Sequence, residues 1–315
     1  MLNCKDGIIG LAVGDAMGVP LEFCFRDKLQ KNITTEMLGY RSHNMSKGTW
    51  SDDTSMTLAT IEAINKSGKI VPNDIADNFV KWIENAEFTP QNKVFGIGRT
   101  CLMAISNYKI KQSNAEKCGE CNEHSNGNGS LMRMIPLVYC CHSKDMSDFD
   151  ILNIVNLVSS ITHRHQISIM GCYIYVLFGI ELLKGKSIIE AYQIIKNKDY
   201  SMFSENYRTR YERIIRKNIY DLEITEVSSL GYVIDTLEAT LWVLLTTESY
   251  NSAIIKAINL GNDTDTIGAC TGGLAGVYYG LESINSSWKN ELIKYDYIEK
   301  LCDRFNDILN KDKII

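Results

Sequence analysis

Two short acidic stretches carry the side chains that are best suited to chemistry. In the later stretch, Asp263 and Asp265 stand two residues apart, and Asn262, Thr264 and Thr266 add further oxygen atoms. Carboxylate, hydroxyl and water oxygens are hard ligands, which suit Mg²⁺, Mn²⁺ or Ca²⁺. The twelve-residue EF-hand pattern is missing. Taken alone, the stretch is also typical of a helix N-cap, where Asp and Thr are common.

The earlier acidic stretch is Ser51-Asp52-Asp53. Adjacent side chains at a helix start diverge by about 100°, so Asp52 and Asp53 can address two ions, or one ion and a water. Carboxylates that converge without cations would repel one another. We therefore predict that the two stretches meet in space around a pair of divalent cations. Such a pair can activate a water molecule or hold substrate oxygens.

A glycine-rich segment ahead of a predicted helix indicates an anion site. It consists of Gly127, Asn128, Gly129 and Ser130. Glycines and the free N–H groups of a helix N-terminus form a cradle for anions. A glycine turn without function is the alternative. Arg133 could add a charge-assisted contact, or it could form a pair on the surface.

A few ring-bearing and thiol side chains are further candidates. His163 and His165 could bind substrate or act as acid or base, or they could be structural residues at a helix end. Zinc is disfavoured because no Cys or His partner has a suitable spacing. Tyr232 could stack on a flat base or ribose, or pack in the core. Cys118 and Cys121 form a lone CxxC without the second pair that a zinc site needs.

Helices must position these groups. Residues 6–25 predict a helix and a following loop, in which Gly10, Gly14 and Gly18 leave room for a close approach to the backbone. Ser51 and its neighbours suit a helix start, and Gly68 suits its end. No alternation typical of strands and no βαβ rhythm is present. Further helices are predicted from residue 72, through residue 105 with residues 95–99 opening it, at 151–160, 168–183, 232–245 and 252–259, and after residue 266. Exposed helices are predicted within 192–219, and loops at 26–48 and 111–124.

Composition and charge limit the class of protein. The chain has 315 residues, 45% hydrophobic and 23% charged, as in a soluble globular protein with ample core. Its net charge of −5 argues against a general nucleic-acid or anionic-membrane surface. The start of the chain lacks a signal pattern, and no run of about 18 apolar residues occurs. We therefore expect a cytoplasmic monomer without a membrane segment, whose ten cysteines are reduced.

The order of the motifs resembles that of the ADP-ribosylglycohydrolase family. This family includes the dinitrogenase reductase-activating glycohydrolase and the eukaryotic ADP-ribosyl hydrolases, and the similarity covers residues 7–280. The matching segments are the opening motif from Gly10 to Glu22, the first metal motif Trp50–Thr54, the phosphate loop Gly127–Arg133, the pairs Thr162-His163 and Gly231-Tyr232, and the last metal motif Gly261–Thr266.

The resemblance implies a compact all-α fold, a single-domain orthogonal helical bundle over residues 1–315. It implies two Mg²⁺ or Mn²⁺ ions in a cleft. The implied activity is hydrolysis of the N- or O-glycosidic bond between ADP-ribose and an acceptor. The expected partner is therefore an ADP-ribosylated protein or another ADP-ribosylated acceptor.

By the same resemblance, each candidate site residue receives a role. The implied metal ligands are Ser51, Asp52, Asp53, Asp263, Asp265 and Thr266. The implied substrate contacts are Gly127, Asn128, Gly129, Ser130, Met132, His163 and Tyr232. The candidate general bases toward water are Asp52, Asp53 and Glu22, the last on a loop that reaches a metal in some relatives.

Two positions depart from the family pattern. Ser51 stands where Thr is usual and keeps the hydroxyl group. Gly96 stands where the nitrogenase-regulating branch carries an Asp on the acceptor side, which favours O-linked or other acceptors, or reduced activity, over arginine. The alternatives to this enzyme are a non-catalytic ADP-ribose binder or crystallin-like relative, and a two-metal phosphoesterase that acts on ADP-ribose or a nucleotide.

Overall fold

The computed structural model of the chain describes residues 2–111 and 114–310, and its regular structure is helical. Within these ranges there is no β-strand, only two isolated bridges, from Glu120 to His163 and from Gly127 to Tyr232. The prediction of an all-α fold is therefore confirmed.

The helices follow the chain in this order. The α-helices are α1 (Lys5–Gly18), α2 (Arg26–Lys31), α3 (Asp52–Ser67), α4 (Pro72–Asn85), α5 (Arg99–Lys111), α6 (Ile135–Ser143), α7 (Asp148–Ser159), α8 (Gln166–Leu183), α9 (Ile188–Lys196), α10 (Glu205–Arg210), α11 (Glu212–Arg216), α12 (Val233–Leu245), α13 (Tyr250–Ile258), α14 (Thr264–Tyr279), α15 (Ser286–Glu291) and α16 (Tyr295–Leu309). Short 3₁₀ turns lie at Val19–Leu21, Ala115–Lys117, Asn128–Arg133, Ile219–Asp221, Ile224–Glu226 and Leu281–Ser283.

Helices α1 and α14 pack backbone to backbone and run antiparallel. Gly10 lies against Gly272, and Gly14 lies against Gly268. A Cβ atom added at any of these four positions would lie less than 3.0 Å from a carbonyl oxygen of the other helix. Only glycine permits this approach, because it has no Cβ. The close approach expected at the α1 glycines is therefore made by α14.

The antiparallel packing brings the end of α1 to the start of α14. The Thr264 hydroxyl donates a 2.8 Å hydrogen bond to the carbonyl oxygen of Gly18. The turn that carries Asp263, just before α14, is thereby fixed beside the last turn of α1. Two helices that lie far apart in the sequence thus contribute neighbouring ends to the candidate site.

Helix α3 begins and ends at the residues expected. The Ser51 side chain accepts a hydrogen bond from the Asp53 amide as an N-cap. Gly68 closes the helix in the left-handed conformation at φ 67°. Ahead of the cap, the Trp50 indole donates a 2.9 Å hydrogen bond to the carbonyl oxygen of Ile293. The start of α3 is therefore fixed by its own N-cap and by the hydrogen bond from Trp50 to Ile293.

Helix α8 is apolar on all faces and lies in the core, as the packing of such a helix requires. In the described part of the chain it is the one helix long and apolar enough to cross a membrane, and 89% of it is buried inside the protein. Length and apolarity alone are weak evidence for a membrane span, since buried core helices share them. The expected absence of a membrane segment stays a prediction.

Three local predictions differ from the structure. Part of the loop expected at 26–48 forms the short helix α2. The helices expected to be exposed within 192–219 bury Tyr192 and Tyr211. The hydroxyl groups of both residues donate to backbone carbonyl oxygens, so their polar atoms stay hydrogen-bonded when buried. In the expected surface loop 111–124, Ala115 is buried, and residues 112–113 lie outside the described ranges.

Candidate metal centre and substrate cleft

The turn before α14 uses its carboxylates for something other than capping. Asp263 occupies the N-cap position, but its side chain makes no capping hydrogen bond. Its Oδ2 atom instead accepts a 2.7 Å hydrogen bond from Asn128 Nδ2. Asn262 has φ 61°, a left-handed conformation that Asn adopts more readily than most residues. The geometry therefore favours the metal interpretation of this turn over the capping alternative.

The start of α3 lies directly beside this turn. Ser51 Oγ donates a 3.0 Å hydrogen bond to Asp53 Oδ2. Thr266 Oγ1 donates to the same oxygen at 3.5 Å. Carboxylate oxygens of Asp15, Asp53 and Asp265 all lie within 4.8 Å of one another. The two acidic stretches therefore meet in space.

Burial and mutual repulsion raise the pKa values of these carboxyl groups. The pKa values of Asp52, Asp53 and Asp265 lie well above the usual range, first because burial disfavours the charged form and then because neighbouring carboxylates repel it. Burial also raises the pKa of Asp263. The buried Oδ1 of Asp53 has no hydrogen-bond partner in the described chain. Divalent cations fit this donor set, since they would neutralise the repulsion and occupy the unpartnered oxygen.

Asp15 is part of this centre, although sequence reasoning assigned it no role. It is fully buried in α1. Its carboxylate accepts 3.0 Å hydrogen bonds from the amides of Ser51 and Thr54 and a 2.6 Å bond from the Thr54 hydroxyl. Burial raises the pKa of Asp15 to about 6. Asp15 thus fixes the start of α3 to α1, and its one sequence signal was a carboxylate within an apolar helix.

A cleft of about 350 Å³ opens above the carboxylates, within the size range of small-ligand sites. Ser51 and Asp53 are buried beneath it, with only about 1% of each exposed. Ten candidate site residues line it, namely Glu22, Asp52, Gly127, Asn128, Gly129, Met132, His163, Asp263, Asp265 and Thr266. The cleft thus gathers residues from the opening motif, both acidic stretches and the glycine-rich loop.

Three other residues do not line the cleft. Ser130 is fully buried, and Tyr232 is half-buried at the N-cap of α12. Arg133 is fully buried, donates a 2.8 Å hydrogen bond to Thr162 Oγ1 and lies 5.0 Å from the Phe79 ring centre. It therefore neither contacts an anion in the cleft nor forms a surface pair, the two roles considered for it.

The two histidines of the Thr162 region have different roles. His163 lines the cleft, and its Nδ1 lies 2.9 Å from Thr162 Oγ1. Burial, with a contribution from the Arg133 charge, lowers the pKa of His163 to about 3. It is therefore neutral at pH 7 and suits hydrogen bonding to a ligand better than proton transfer. His165 caps α8 by accepting from the Ile167 amide at 3.3 Å, which is a structural role.

The lone CxxC gives no sign of a metal site. Cys118 is buried, whereas Cys121 is exposed. The Cys121 thiol donates to the carbonyl oxygen of Arg164 at 3.7 Å. Neither cysteine belongs to the metal-ligand clusters of the described residues.

The loop that carries Glu22 is hydrogen-bonded to the turn before α14. The Phe23 amide donates a 2.7 Å hydrogen bond to the carbonyl oxygen of Asn262. The Asn262 amide donates in return to the carbonyl oxygen of Cys24 at 2.8 Å. Glu22 is thereby held at the edge of the cleft, next to Asp263 and Asp265.

Residues 95–101 contribute another wall of the cleft. Gly96 has φ 84°, and a Cβ atom there would meet Asp52 Oδ1 at less than 3.0 Å. Arg99 is exposed at the start of α5, and among the described cleft-lining residues it is the one Lys or Arg. Its guanidinium group has no ion-pair partner in the described chain. Cys101, one residue after Thr100, reaches the glycine-rich loop, with Sγ 3.9 Å from the Gly129 carbonyl oxygen.

Comparison with known proteins identifies the family. The model of the ADP-ribosylglycohydrolase family matches residues 3–313. This chain belongs to the ADP-ribosylglycohydrolase family. The ADP-ribosylarginine hydrolase Tri1 of Serratia proteamaculans is 30% identical over 303 residues, 96% of this chain and 78% of that protein. The ADP-ribosyl-[dinitrogen reductase] glycohydrolase of Rhodospirillum rubrum is 27% identical and covers 90% of this chain and 88% of its own.

A solved structure shares the whole fold. It is described as an ADP-ribosylglycohydrolase-related protein complex, and it matches with a TM-score of 0.80 and 26% identity over 98% of both chains. The resemblance inferred from the motifs is thus confirmed, as is the enzyme class that it implied, an ADP-ribosyl hydrolase.

The two departures from the ADP-ribosylglycohydrolase pattern now have a structural description. The Ser51 hydroxyl is fully engaged with Asp53, as donor to its carboxylate and acceptor from its amide. Gly96 is more than a missing carboxylate, because any side chain there would have to displace Asp52 or strain the backbone.

Proposed function

We propose that this protein hydrolyses the glycosidic bond between ADP-ribose and an acceptor, with two divalent cations, Mg²⁺ or Mn²⁺, in its centre. The observation that carries the proposal is the meeting of buried, mutually repelling carboxylates on the floor of a cleft walled by the glycine-rich loop. The residues that would hold the cations are Ser51, Asp52, Asp53, Asp263, Asp265 and Thr266. When bound, such ions position substrate oxygens and lower the pKa of bound water.

The residues around the cleft divide the remaining work. Asp52 and Glu22 line the cleft, whereas Asp53 lies beneath it. We therefore assign the proton of the attacking water to Asp52 or Glu22, and a ligand role to Asp53. Positive charge that develops on the ribose ring as the anomeric bond breaks would be stabilised by the same carboxylates.

The diphosphate of ADP-ribose needs compensation in a cleft with so many carboxylates. Asn128, Gly129 and the neutral His163 offer hydrogen-bonding and backbone groups on one wall. Arg99 offers the cationic charge from the adjacent wall, which meets the loop at Cys101 and Gly129. We therefore place the diphosphate between the glycine-rich loop and Arg99.

The acceptor is the least constrained part of the substrate. The name of the Serratia relative supports arginine as the acceptor, and the name of the Rhodospirillum relative supports a protein acceptor. We therefore propose an ADP-ribosylated protein side chain, with ADP-ribosylarginine as the first substrate to test. Against arginine, residues 95–101 offer no carboxylate to a cationic acceptor. A guanidinium group would then depend on Glu22 for its counter-charge.

The test is release of ADP-ribose from a panel of arginine-linked, serine-linked and nucleic-acid-linked substrates, with Mg²⁺, Mn²⁺ or EDTA. The expected result is metal-dependent release of intact ADP-ribose from at least one substrate. Binding without release would replace the proposal by a non-catalytic ADP-ribose binder. AMP or phosphate as the product would replace it by a two-metal phosphoesterase, and chromatography separates these products.

A further inference from the structure

A histidine outside every motif contacts a residue that lines the cleft. His43 lies in the irregular segment between α2 and α3, and its Nε2 contacts Glu22 Oε2. Both side chains are mostly covered, with 16% of the His43 side chain and 12% of the Glu22 side chain exposed. An ionised carboxylate only accepts hydrogen bonds, so the imidazole N–H donates.

The same segment also holds the backbone of the Glu22 loop. The Ser42 hydroxyl hydrogen-bonds to the carbonyl oxygens of Glu22 and Pro20, the latter at 3.2 Å. The Ser42 amide also donates to the Pro20 carbonyl oxygen at 3.5 Å. Two adjacent residues therefore fix both the main chain and the side chain at Glu22.

The His43 ring is itself held in place by two aromatic rings. Its centre lies 5.8 Å from that of Phe23 and 5.1 Å from that of Phe95, with both rings tilted by about 50°. Phe23 follows Glu22 in the chain, and Phe95 precedes Gly96, which lies against Asp52. His43 thus has a fixed orientation between the Glu22 loop and the wall beside Asp52.

The hydrogen bond opposes an electrostatic force. The charge of Glu22 contributes to the raised pKa values of Asp52, Asp263 and Asp265, so these carboxylates repel Glu22 in return. Repulsion of this kind drives a side chain on a surface loop toward solvent. The hydrogen bond from His43 opposes this repulsion. It holds the Glu22 carboxylate where ligand atoms of Glu22, His43 and Asp265 all lie within 4.8 Å of one another.

We propose that His43 is a positioning residue for the hydrolase reaction, which holds the Glu22 carboxylate over the acidic centre. This inference rests on the proposed function. In this proposal His43 acts through Glu22 and is not itself a ligand, although its ring nitrogen lies within 4.8 Å of carboxylate oxygens of Glu22 and Asp265. Its removal therefore lowers turnover only while Glu22 is present.

The test is a double-mutant cycle in the full-length protein with the best substrate of the panel. His43→Ala is expected to lower kcat by about 10- to 100-fold, the scale of a small misplacement of a reacting group. The Kd values for ADP-ribose and Mn²⁺ are expected to change less than about twofold. In a Glu22→Gln background, His43→Ala is expected to cause no further loss. His43→Gln, which keeps an N–H donor, is expected to recover part of kcat.

Arg41→Ala, an exposed residue of the same segment, is the matched control and is expected to retain wild-type kcat. Equal losses in the wild-type and Glu22→Gln backgrounds would overturn the proposal, because His43 would then act independently of Glu22. Loss of Mn²⁺ affinity in His43→Ala would overturn it too, by making His43 a ligand. Wild-type protein that releases no ADP-ribose overturns the proposed function first, so the two failures are distinguishable.

Discussion

The cleft places several acidic side chains on its floor and a single basic side chain on its wall. Asp52, Asp263 and Asp265 crowd its floor, and Arg99 supplies the one cationic side chain among its described lining residues. The crowded carboxylates raise one another's pKa values, whereas Arg99 has no ion-pair partner. Two divalent cations at the carboxylates would relieve their mutual repulsion, and an anionic group beside Arg99 would pair with its charge.

Asp263→Asn tests the floor. The amide keeps the shape and can still accept from Asn128, but it loses the charge that a divalent cation needs. We expect turnover to fall by at least about 100-fold, as for loss of one preorganised electrostatic group. The thermal midpoint without metal should not fall. Steady-state kinetics and a melting curve check this, and a variant with wild-type turnover would contradict the metal assignment.

Arg99→Ala tests the wall. A charge-assisted hydrogen bond is worth about 1.5–3 kcal/mol, so we expect KM and the Kd for ADP-ribose to rise by about 10- to 100-fold. The loss should be smaller at high salt, where exposed charges are screened. Lys111→Ala, at the far end of α5, is the control and should bind normally. Unchanged affinity in Arg99→Ala would remove Arg99 from the diphosphate site.

Residue types and their order predicted most of the residues that the structure brings together at the candidate site. They could not find Asp15 or His43, because each becomes significant only through a partner. Asp15 reads as an isolated acid until the amides of α3 are placed around it. His43 stands in an aperiodic segment, where no spacing links it to Glu22.

The arrangement of elements around the centre depends on one helix pair. Helix α1 carries Asp15 and leads into the Glu22 loop, and α14 begins directly after Asp263. The contact between α1 and α14 at Gly10, Gly14, Gly268 and Gly272 sets the distance between Asp15 on α1 and the start of α14. A shift between these helices would therefore move the ligands as well.

Gly14→Val is the corresponding test. Alanine or valine usually improves on glycine inside a helix, but here the new Cβ would overlap the Gly268 carbonyl oxygen. We expect a loss of unfolding free energy of about 3 kcal/mol or more, the upper range for overpacking, together with weaker Mn²⁺ binding. Denaturant unfolding and metal titration measure both effects. Gly98→Ala, where an added Cβ meets nothing within 4 Å, is the steric control for stability.

Local sequence patterns predicted the positions of the helices better than they predicted which helices pack together. Caps and periodicity located α3, α4, α8 and α13, because helix boundaries depend on neighbouring residues. The glycines of α1 indicated a close neighbour but not which one. That partner lies at the other end of the chain, where no local pattern can point to it.

Over the whole molecule, the buried acids make stability depend on pH and on metal. Burial raises the pKa of Asp15 to about 6, from 3.8, and the pKa values of Asp52, Asp53, Asp263 and Asp265 are raised as well. The folded protein therefore binds protons more tightly than the unfolded chain. The stability that these groups contribute is present below the unfolded pKa and is lost as pH rises through the folded values.

We expect the metal-free protein to lose thermal stability as pH rises from about 4 to about 7. The stabilisation by Mn²⁺ should grow over the same range, because protons and cations compete for the same oxygens. Melting curves at several pH values, with EDTA or Mn²⁺, measure both trends. Asp53→Asn should flatten them. A Mn²⁺ effect of equal size at every pH would contradict the shared site.

A single domain over residues 1–315, a monomeric state and a cytoplasmic location stay predictions. Size-exclusion chromatography with light scattering tests the monomer directly. A stable dimer would contradict it. The cooperativity of unfolding tests the single domain, since one domain should melt in one transition.

The pairing of α1 with α14 also determines when the candidate site can assemble during protein synthesis. Helix α1 leaves the ribosome before α14, which begins at Thr264, and the hydrogen bond from Trp50 to Ile293 can form only later still. At about 5–20 residues per second, the glycine face of α1 stays without its partner for roughly 12–50 seconds. A nascent chain that stops before α14 therefore carries every residue of the first acidic stretch and no working centre.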